Sequence, residues 1–303
     1  MNSDCNCWFR KRRQWSVRKR PLSGAVLNLG YLSLRLIRHF MPESLARFLL
    51  RRRWILRPGL ESSDPQTAAE RYVSSLAEKG YPISGRRMLV FGYGGRFAIG
   101  IELLKQGAAH VVLCDHFISL DQERNLDLLP HNENYLARDN FLITPRPEFM
   151  TLVHGDIREG SVQNQIAAVD CVLSNSVFEH LEDVAGITRA LAGLTKPDGI
   201  QLHFVDLRDH YFKYPFGMLF YSERVWRNLL NPTSNLNRFR AMDYRKVFED
   251  VFQNVEIHVL ERLEKEFEAV RSRIRPEFIH GDPSEDSAAL IRIIAQKPRN
   301  SLP

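Results

Sequence analysis

The chain has 303 residues, of which 44% are hydrophobic and 26% are charged. This composition is that of a globular protein with a sizeable core, and it excludes a disordered or fibrous chain. The 4 cysteines show neither a disulfide framework nor zinc-ligand spacing, so we expect a protein of a reducing, cytoplasmic compartment.

Basic residues are concentrated near the N-terminus. Residues 1–60 contain 14 lysines and arginines and 2 acidic residues, whereas residues 61–303 contain 28 basic and 34 acidic residues. The net charge of +6 therefore combines +12 on the first segment with −6 on the rest. Because the larger part is acidic, nucleic acid is not an expected partner of the chain as a whole.

Residues 1–66 are predicted to form a basic, partly amphipathic helical arm. A basic cluster precedes an apolar stretch over residues 21–34, as in a secretory signal, but no small-residue cleavage site follows. The stretch is also shorter than the roughly 18 apolar residues of a membrane span. We therefore expect neither export nor a transmembrane helix.

Two short amphipathic helices are predicted between Tyr31 and Leu56, with a break at Pro42. Two interpretations of their apolar faces stay open. They pack on the body of the protein, or they join the arginines of residues 10–57 in contacting an anionic membrane. The second interpretation places the protein at the periphery of the inner face of the membrane.

The remaining residues, 67–303, alternate between helical and strand-like patterns. Helices are predicted at Thr67–Lys79, Ile99–Gln106 and Leu181–Leu194. Short, bounded apolar runs have the pattern of buried parallel strands: Met88–Phe91, Val111–Cys114, Met150–Val153, Cys171–Leu173 and Leu202–Val205. This alternation predicts an α/β domain with a doubly wound, mostly parallel sheet.

The first predicted strand ends in a glycine-containing turn, Gly92-Tyr93-Gly94. Glycine lets the backbone approach a ligand closely at the carboxyl edge of such a sheet. A dinucleotide-binding turn would require glycine at position 97, where the chain has Phe97, so a dehydrogenase is disfavoured.

Polar residues also follow the next predicted strands. Asp115 ends the second strand, just before His116, and is placed to accept hydrogen bonds from two ribose hydroxyls; its alternative role is to cap the next helix. Asp156 and Ile157 follow the third strand, where the carboxylate is placed to accept from the exocyclic amine of adenine. Asn175 lies where the fourth strand runs into a helix.

The order and spacing of these motifs resemble the class I S-adenosylmethionine-dependent methyltransferases over roughly Arg87 to Asp206. The run Ser176–Leu181 is similar to the family's signature after strand four, and Pro197-Asp198-Gly199 to its turn before strand five. The resemblance implies a seven-stranded Rossmann-like methyltransferase sheet and S-adenosylmethionine as the cofactor. It also implies that the cofactor contacts these residues: Gly92, Tyr93, Gly94, Asp115, His116, Asp156, Ile157 and Asn175.

Two positions depart from the family pattern. Val90 stands where the family has an acidic residue two positions before the first glycine, and Arg96 stands where it has a third glycine. Both positions bear on the methionine end of the cofactor. They favour an alternative in which the chain is a non-catalytic cofactor-binding scaffold that docks through its basic arm.

The acceptor side is predicted from a weaker resemblance. The aromatic-rich residues 207–240 are similar to an acceptor-covering insertion in methyltransferases of small-molecule and polysaccharide pathways. We therefore expect O-methylation of a small molecule or glycan precursor by in-line methyl transfer. The alternative, an RNA or protein methyltransferase, is favoured by the basic arm but disfavoured by the acidic body and by the lack of an Asn-Pro-Pro-Tyr-like motif.

Three residues are candidates for the base that accepts the hydroxyl proton: His180, Asp209 and His210. They follow strand ends that face the predicted cofactor, and each has a structural hydrogen-bonding role as its alternative. No metal is assigned, because Glu179 and His180 supply only two ligands.

Overall fold

Seven strands form the central sheet in a computed structural model, which describes residues 29–51, 63–140, 142–211 and 213–299. In sheet order the strands are β5 (Met150–His154), β2 (His110–Asp115), β1 (Arg87–Phe91), β6 (Val169–Asn175), β7 (Thr195–Asp206), β9 (Ala288–Pro298) and β8 (Phe252–Arg262). The first five run parallel, and β9 is antiparallel to both of its neighbours. The predicted doubly wound, Rossmann-like methyltransferase sheet is confirmed.

Helices and a small hairpin connect and cover these strands. The hairpin consists of β3 (Leu136–Asp139) and β4 (Leu142–Pro145). The helices are α1 (Leu29–His39), α2 (Glu43–Arg51), α3 (Pro65–Ala77), α4 (Ala98–Lys105), α5 (Gln122–Leu126), α6 (Gly160–Gln163), α7 (Val184–Leu194), α8 (Glu223–Val225), α9 (Ala241–Glu249), α10 (Glu264–Glu268) and α11 (Pro283–Asp286). Short 3-10 turns lie at Leu129–His131, Phe178–His180, Gly217–Phe220, Arg271–Arg273 and Pro276–Phe278, and a π-helical turn at Trp226–Leu230.

Both faces of the sheet are buried, which explains why its central strands are continuous apolar runs. Successive residues point to opposite faces: Leu89 and Val172 enter one apolar cluster, and Val90 and Leu173 enter the other. Every residue of β6 is buried. Because β1, β2, β5, β6 and β7 are parallel, the loops that follow them meet at one carboxyl edge.

Two predicted boundaries are wrong. The turn predicted at Pro197–Gly199 lies inside β7, where the register with β6 jumps from the pair Val169–Thr195 to the pair Cys171–Ile200. The extra residues form an irregularity in one strand rather than a separate turn. The helix predicted to begin at Leu181 begins at Val184, because the Asp183 side chain accepts a hydrogen bond from the Gly186 amide and caps it.

The two predicted amphipathic helices correspond to α1 and α2, and the break between them contains Pro42. Tyr31 and Arg35 of α1 are buried, and the Tyr31 ring lies over Gly217. The predicted arm therefore contacts the body through α1, whereas its residues 1–28 and 52–62 lie outside the described residues. No helix among the described residues is long and apolar enough to span a membrane.

A third apolar cluster lies within the predicted acceptor-side insertion, residues 207–240. Phe216, Leu219 and Trp226 pack there with Phe267, which follows β8 in the chain. The insertion therefore has a core of its own beside the sheet. The boundary predicted between an arm at residues 1–66 and a domain at residues 67–303 stays a prediction.

Candidate functional site

Three of the four residues in the turn after β1 have a backbone conformation that favours glycine. The angle φ is +78° at Gly92, +74° at Gly94 and +77° at Gly95, in the left-handed region that other residues rarely adopt. A Cβ atom at Gly92 would overlap the Val177 side chain, and one at Gly95 would overlap the carbonyl oxygen of Ser119. The glycine turn, Gly92–Gly95, is thus packed against the loops that follow β6 and β2.

Asn125 of α5 holds the far end of the glycine turn. Its Oδ1 accepts a hydrogen bond of 2.9 Å from the Phe97 amide, and its Nδ2 donates one of 3.0 Å to the Gly95 carbonyl oxygen. The Asn125 side chain is fully buried. The sequence analysis missed this residue, because a lone asparagine in a polar segment carries no recognisable signal.

Asp115 joins the glycine turn to the loop after β2. Its carboxylate accepts hydrogen bonds from the amides of Gly94 (3.1 Å), Phe117 (2.9 Å) and Ile118 (2.9 Å). Burial raises the pKa of Asp115, and the three amides oppose that rise. About four lone-pair sites are available on a carboxylate, so room remains for a further donor. The predicted ribose contact stays a prediction, as does the cofactor contact of the neighbouring His116, which is exposed.

Asp156 follows β5 at the same edge of the sheet. Its carboxylate pairs with Arg158 at 2.5 Å, and Arg158 also reaches Asp183 at 2.9 Å. The hydrogen bonds from Arg158 lower the pKa of Asp156 to about 2, so the carboxylate is ionised near neutral pH. Ile157 is buried in the core beside it. The predicted adenine contacts of Asp156 and Ile157 stay predictions.

The loop after β6 carries a local backbone strain. Ser176 has φ of +56° and donates its amide hydrogen bond to the Phe204 carbonyl oxygen at 2.8 Å. A residue other than glycine in this region costs about 1–3 kcal/mol, and such strain is concentrated at functional sites. Asn175, immediately before it, is buried. Its predicted contact with the cofactor, like those of Tyr93 and the turn glycines, stays a prediction.

Three side chains beyond this loop form an acceptor cluster: Glu179, His180 and His210. One ligand-type atom of each lies within 4.8 Å of those of the other two. The His180 and His210 rings are 4.9 Å apart between centroids. The structure thus brings together two of the three predicted base candidates, and it adds Glu179 to them.

The histidines of the acceptor cluster are neutral bases rather than cations. The His180 Nδ1 lies 2.8 Å from the Asn235 carbonyl oxygen and 3.2 Å from that of Ser234. Because carbonyl oxygens only accept, Nδ1 carries the proton and Nε2 keeps its lone pair. Burial lowers the pKa of His180, and burial followed by His180 itself and nearby arginines lowers that of His210 to about 2.

Glu179 is almost completely buried, at 2% exposure. Its Oε1 accepts a long hydrogen bond of 3.4 Å from the Asp206 amide, and its Oε2 has no hydrogen-bond partner among the described residues. Burial, followed by the nearby Asp206 carboxylate, raises the pKa of Glu179 well above its usual value. The sequence signal for this residue was its place beside His180 in the run after β6.

Asp209, the third base candidate, faces α1 rather than the histidines. It forms a fully buried ion pair with Arg35, accepts a hydrogen bond of 2.5 Å from the Tyr31 hydroxyl, and accepts another of 2.9 Å from the Tyr211 amide. These contacts favour the structural alternative, in which Asp209 anchors α1. Its catalytic role stays a prediction.

Part of the chain that contains this site matches a known family. Residues 104–202 match the family model described as a methyltransferase domain. This range runs from α4 into β7 and includes Asp115, Asp156 and the acceptor cluster residues Glu179 and His180. The match supports the predicted resemblance to methyltransferases over these residues, and S-adenosylmethionine stays the cofactor that the resemblance implies. No curated protein matches the chain.

Several solved structures are similar in fold. A magnesium protoporphyrin IX methyltransferase from Synechocystis PCC 6803, with bound SAH, is 15% identical; the match covers 87% of this chain and 98% of that one, with a TM-score of 0.45. A geranyl diphosphate methyltransferase in complex with SAM is 11% identical over 77% and 85% of the two chains, with a TM-score of 0.47. An S-adenosylmethionine-dependent methyltransferase from Mesorhizobium loti is 15% identical over 78% and 100%, with a TM-score of 0.42.

Proposed function

We propose that this chain, which matches a methyltransferase domain over residues 104–202, is an S-adenosylmethionine-dependent enzyme that methylates a hydroxyl oxygen of a small molecule or glycan precursor. One observation carries the proposal. Val177 packs on Gly92 of the glycine turn, and the acceptor cluster begins two residues later at Glu179. A ligand held by the glycine turn and one held by the acceptor cluster would therefore be neighbours.

S-adenosylmethionine, when bound, supplies a methyl group that its sulfonium already activates. The glycine turn fits such a ligand, because the Asp115 carboxylate beside Gly94 retains acceptor capacity for a ligand hydroxyl. The acceptor cluster holds the hydroxyl and assists the loss of its proton. The chain's main contribution is alignment of the two reactants, which is worth several kcal/mol, up to about 7–11, in well-oriented systems.

Thermal unfolding with and without S-adenosylmethionine or its demethylated product tests the cofactor site. A ligand at about a hundred times its dissociation constant should stabilise the wild type by roughly 2.7 kcal/mol. Asp115→Asn keeps the side-chain shape but removes the charge, and we expect the stabilisation to be lost. The matched control, Asp198→Asn, alters an exposed carboxylate near the opposite, amino end of β7 and should keep it.

Release of the demethylated cofactor, measured over a panel of hydroxylated small molecules and glycans, tests the reaction. His180→Gln should lower turnover by about 10² to 10⁴, the usual contribution of a group that assists proton transfer. Cofactor binding without turnover on any acceptor class would instead support a scaffold. Turnover on RNA or protein alone would support the other alternative.

We also propose that α1 and α2 contact an anionic membrane surface. Large apolar side chains on these helices and in the break between them are exposed, including Ile37 (60%), Phe40 (66%) and Phe48 (48%), and the segment around them carries the excess of basic charge. Exposed apolar and basic groups together are typical of helices that lie in the interface of a bilayer.

Sedimentation with vesicles tests this contact. The wild type should bind phosphatidylglycerol-containing vesicles at low salt and phosphatidylcholine vesicles weakly. The double variant I37S/F40S should lose most of this binding, whereas Phe117→Ser, at an exposed position on the body, should keep it. Equal sedimentation with both vesicle types, or salt-sensitive RNA binding in place of lipid binding, would contradict the proposal.

A further inference from the structure

We propose that the acceptor cluster, Glu179, His180 and His210, is a binding site for one divalent transition-metal ion. The inference deepens the proposed function, because the ion would contact the acceptor's oxygen. One ligand-type atom from each residue lies within 4.8 Å of the others. Ligands around one ion at about 2.0–2.2 Å lie roughly 3–4 Å apart, so a small closure completes the site.

Glu179 points to a cation independently of this spacing. The residue is 2% exposed, yet its Oε2 has no hydrogen-bond partner among the described residues. Its other oxygen accepts one long hydrogen bond, of 3.4 Å, from the Asp206 amide. A buried carboxylate oxygen without a partner is costly, and native proteins retain one where a ligand completes its interactions.

His180 is held as metal-ligating histidines are held. Its Nδ1–H donates to the backbone carbonyl oxygens of Asn235 and Ser234, and the Asn235 side chain donates in turn to the His180 carbonyl oxygen at 3.0 Å. Such a hydrogen bond fixes the tautomer and directs the other nitrogen to the ion. Nε2 is therefore the ligand atom of His180.

Two of the arginines near the cluster are paired with carboxylates, whereas Arg38, which also acts on His180, contacts the Ser234 hydroxyl. Arg35 pairs with Asp209 in a fully buried ion pair. Arg208 pairs with Asp206 at 2.6 Å and with Glu261 at 3.4 Å. These pairs reduce the repulsion that the arginines would exert on an added cation.

Two imidazole nitrogens and one carboxylate oxygen are typical ligands of zinc, iron, cobalt and similar ions, and they leave coordination positions open. An acceptor oxygen in an open position would lose its proton to water more easily. The resulting oxygen forms the new C–O bond while the C–S bond breaks, and the electron pair of that bond stays on sulfur. The histidines then serve as ligands that position the acceptor.

Cobalt(II) titration of the full chain, without cofactor or acceptor, tests the site. We expect one Co²⁺ per chain, with visible d–d absorption, and binding weakened by at least about tenfold in Glu179→Gln and in His210→Asn. His258→Gln is the matched control, because His258 also lies beside a glutamate, Glu256, but on the surface of β8. It should leave Co²⁺ binding unchanged.

Two outcomes would overturn the metal site: no saturable Co²⁺ binding by the wild type, or binding that both cluster variants retain. Circular dichroism of the two variants, which alter different strand-end loops, separates lost ligands from lost folding. The thermal shift with S-adenosylmethionine on the same samples separates the two proposals. A thermal shift with S-adenosylmethionine but no Co²⁺ binding would overturn only the metal site. Co²⁺ binding without a thermal shift would instead overturn the proposed methyl transfer.

Discussion

The glycine turn and the acceptor cluster lie at the same edge of the sheet but are built over different distances in sequence. The hydrogen bonds that fix the glycine turn join residues 21 to 30 positions apart, as in Gly94–Asp115 and Gly95–Asn125, and the packing of Val177 on Gly92 reaches further. Inside the acceptor cluster the spacing is similar, because Glu179 and Asp206 are 27 positions apart. The contacts that support the cluster span more of the chain: 55 positions for His180 and Asn235, and 174 for Arg35 and Asp209, which precedes His210. The hydrogen bonds of the glycine turn are thus completed between β1 and α5, whereas the supports of the acceptor cluster join α1 to segments that follow β6 and β7.

The largest expected effect tests whether the acceptor side depends on this long-range packing. Arg35→Ala leaves Asp209 buried without its charge partner, and breaking such a pair typically costs about 3–5 kcal/mol. Denaturant unfolding measures the loss. In the control, Arg227→Ala removes an exposed pair with Glu223 and should cost at most about 1 kcal/mol. Equal losses in the two variants would show that α1 does not depend on Asp209 for its position.

A smaller effect is expected at the glycine turn. Gly92→Ala and Gly80→Ala both place a side chain at positive φ, at a cost of about 1–3 kcal/mol each. Only the first also drives a methyl group into Val177, since nothing lies within 4 Å of a Cβ at Gly80. Calorimetric titration with S-adenosylmethionine should therefore show weaker binding, by about tenfold or more, for Gly92→Ala alone.

Similar affinities for the two glycine variants would contradict the placement of the cofactor at the glycine turn. Similar stabilities of the two variants with different affinities would strengthen that placement. The backbone strain would then be equal in both variants, and the loss of binding would belong to position 92.

The smallest expected effect concerns pH and the pair Asp156–Arg158. The folded-state pKa of Asp156 is about 2, below its ordinary value near 3.8, so its contribution to stability is complete above pH 4 and is lost as the pH falls towards 2. Because Arg158 is 44% exposed, the contribution should be below about 1 kcal/mol. The free energy of unfolding of Asp156→Asn should thus differ from wild type at pH 7 and converge with it near pH 2. A difference independent of pH would assign the effect to something other than the charge.

These comparisons show which parts of the site the sequence was able to predict. The alternation of apolar runs and the glycine turn follow from local chemistry, because buried strands need apolar side chains and left-handed backbone needs glycine. Asn125 was missed, since its burial against Gly95 depends on how α5 packs. Asp209 was grouped with the histidines from its position after β7, yet its side chain turns to α1.

The sequence by itself determined the order of strands and helices, the mostly parallel sheet, and the family to which residues 104–202 are matched. These depend on periodicity and on residues close together in the chain. The tertiary structure alone decided that Glu179 would be buried beside two histidines, with one oxygen that no described residue hydrogen-bonds, and that α1 would close over Asp209. Burial and pairing of charges depend on surfaces brought together from distant parts of the chain, and no local pattern encodes them.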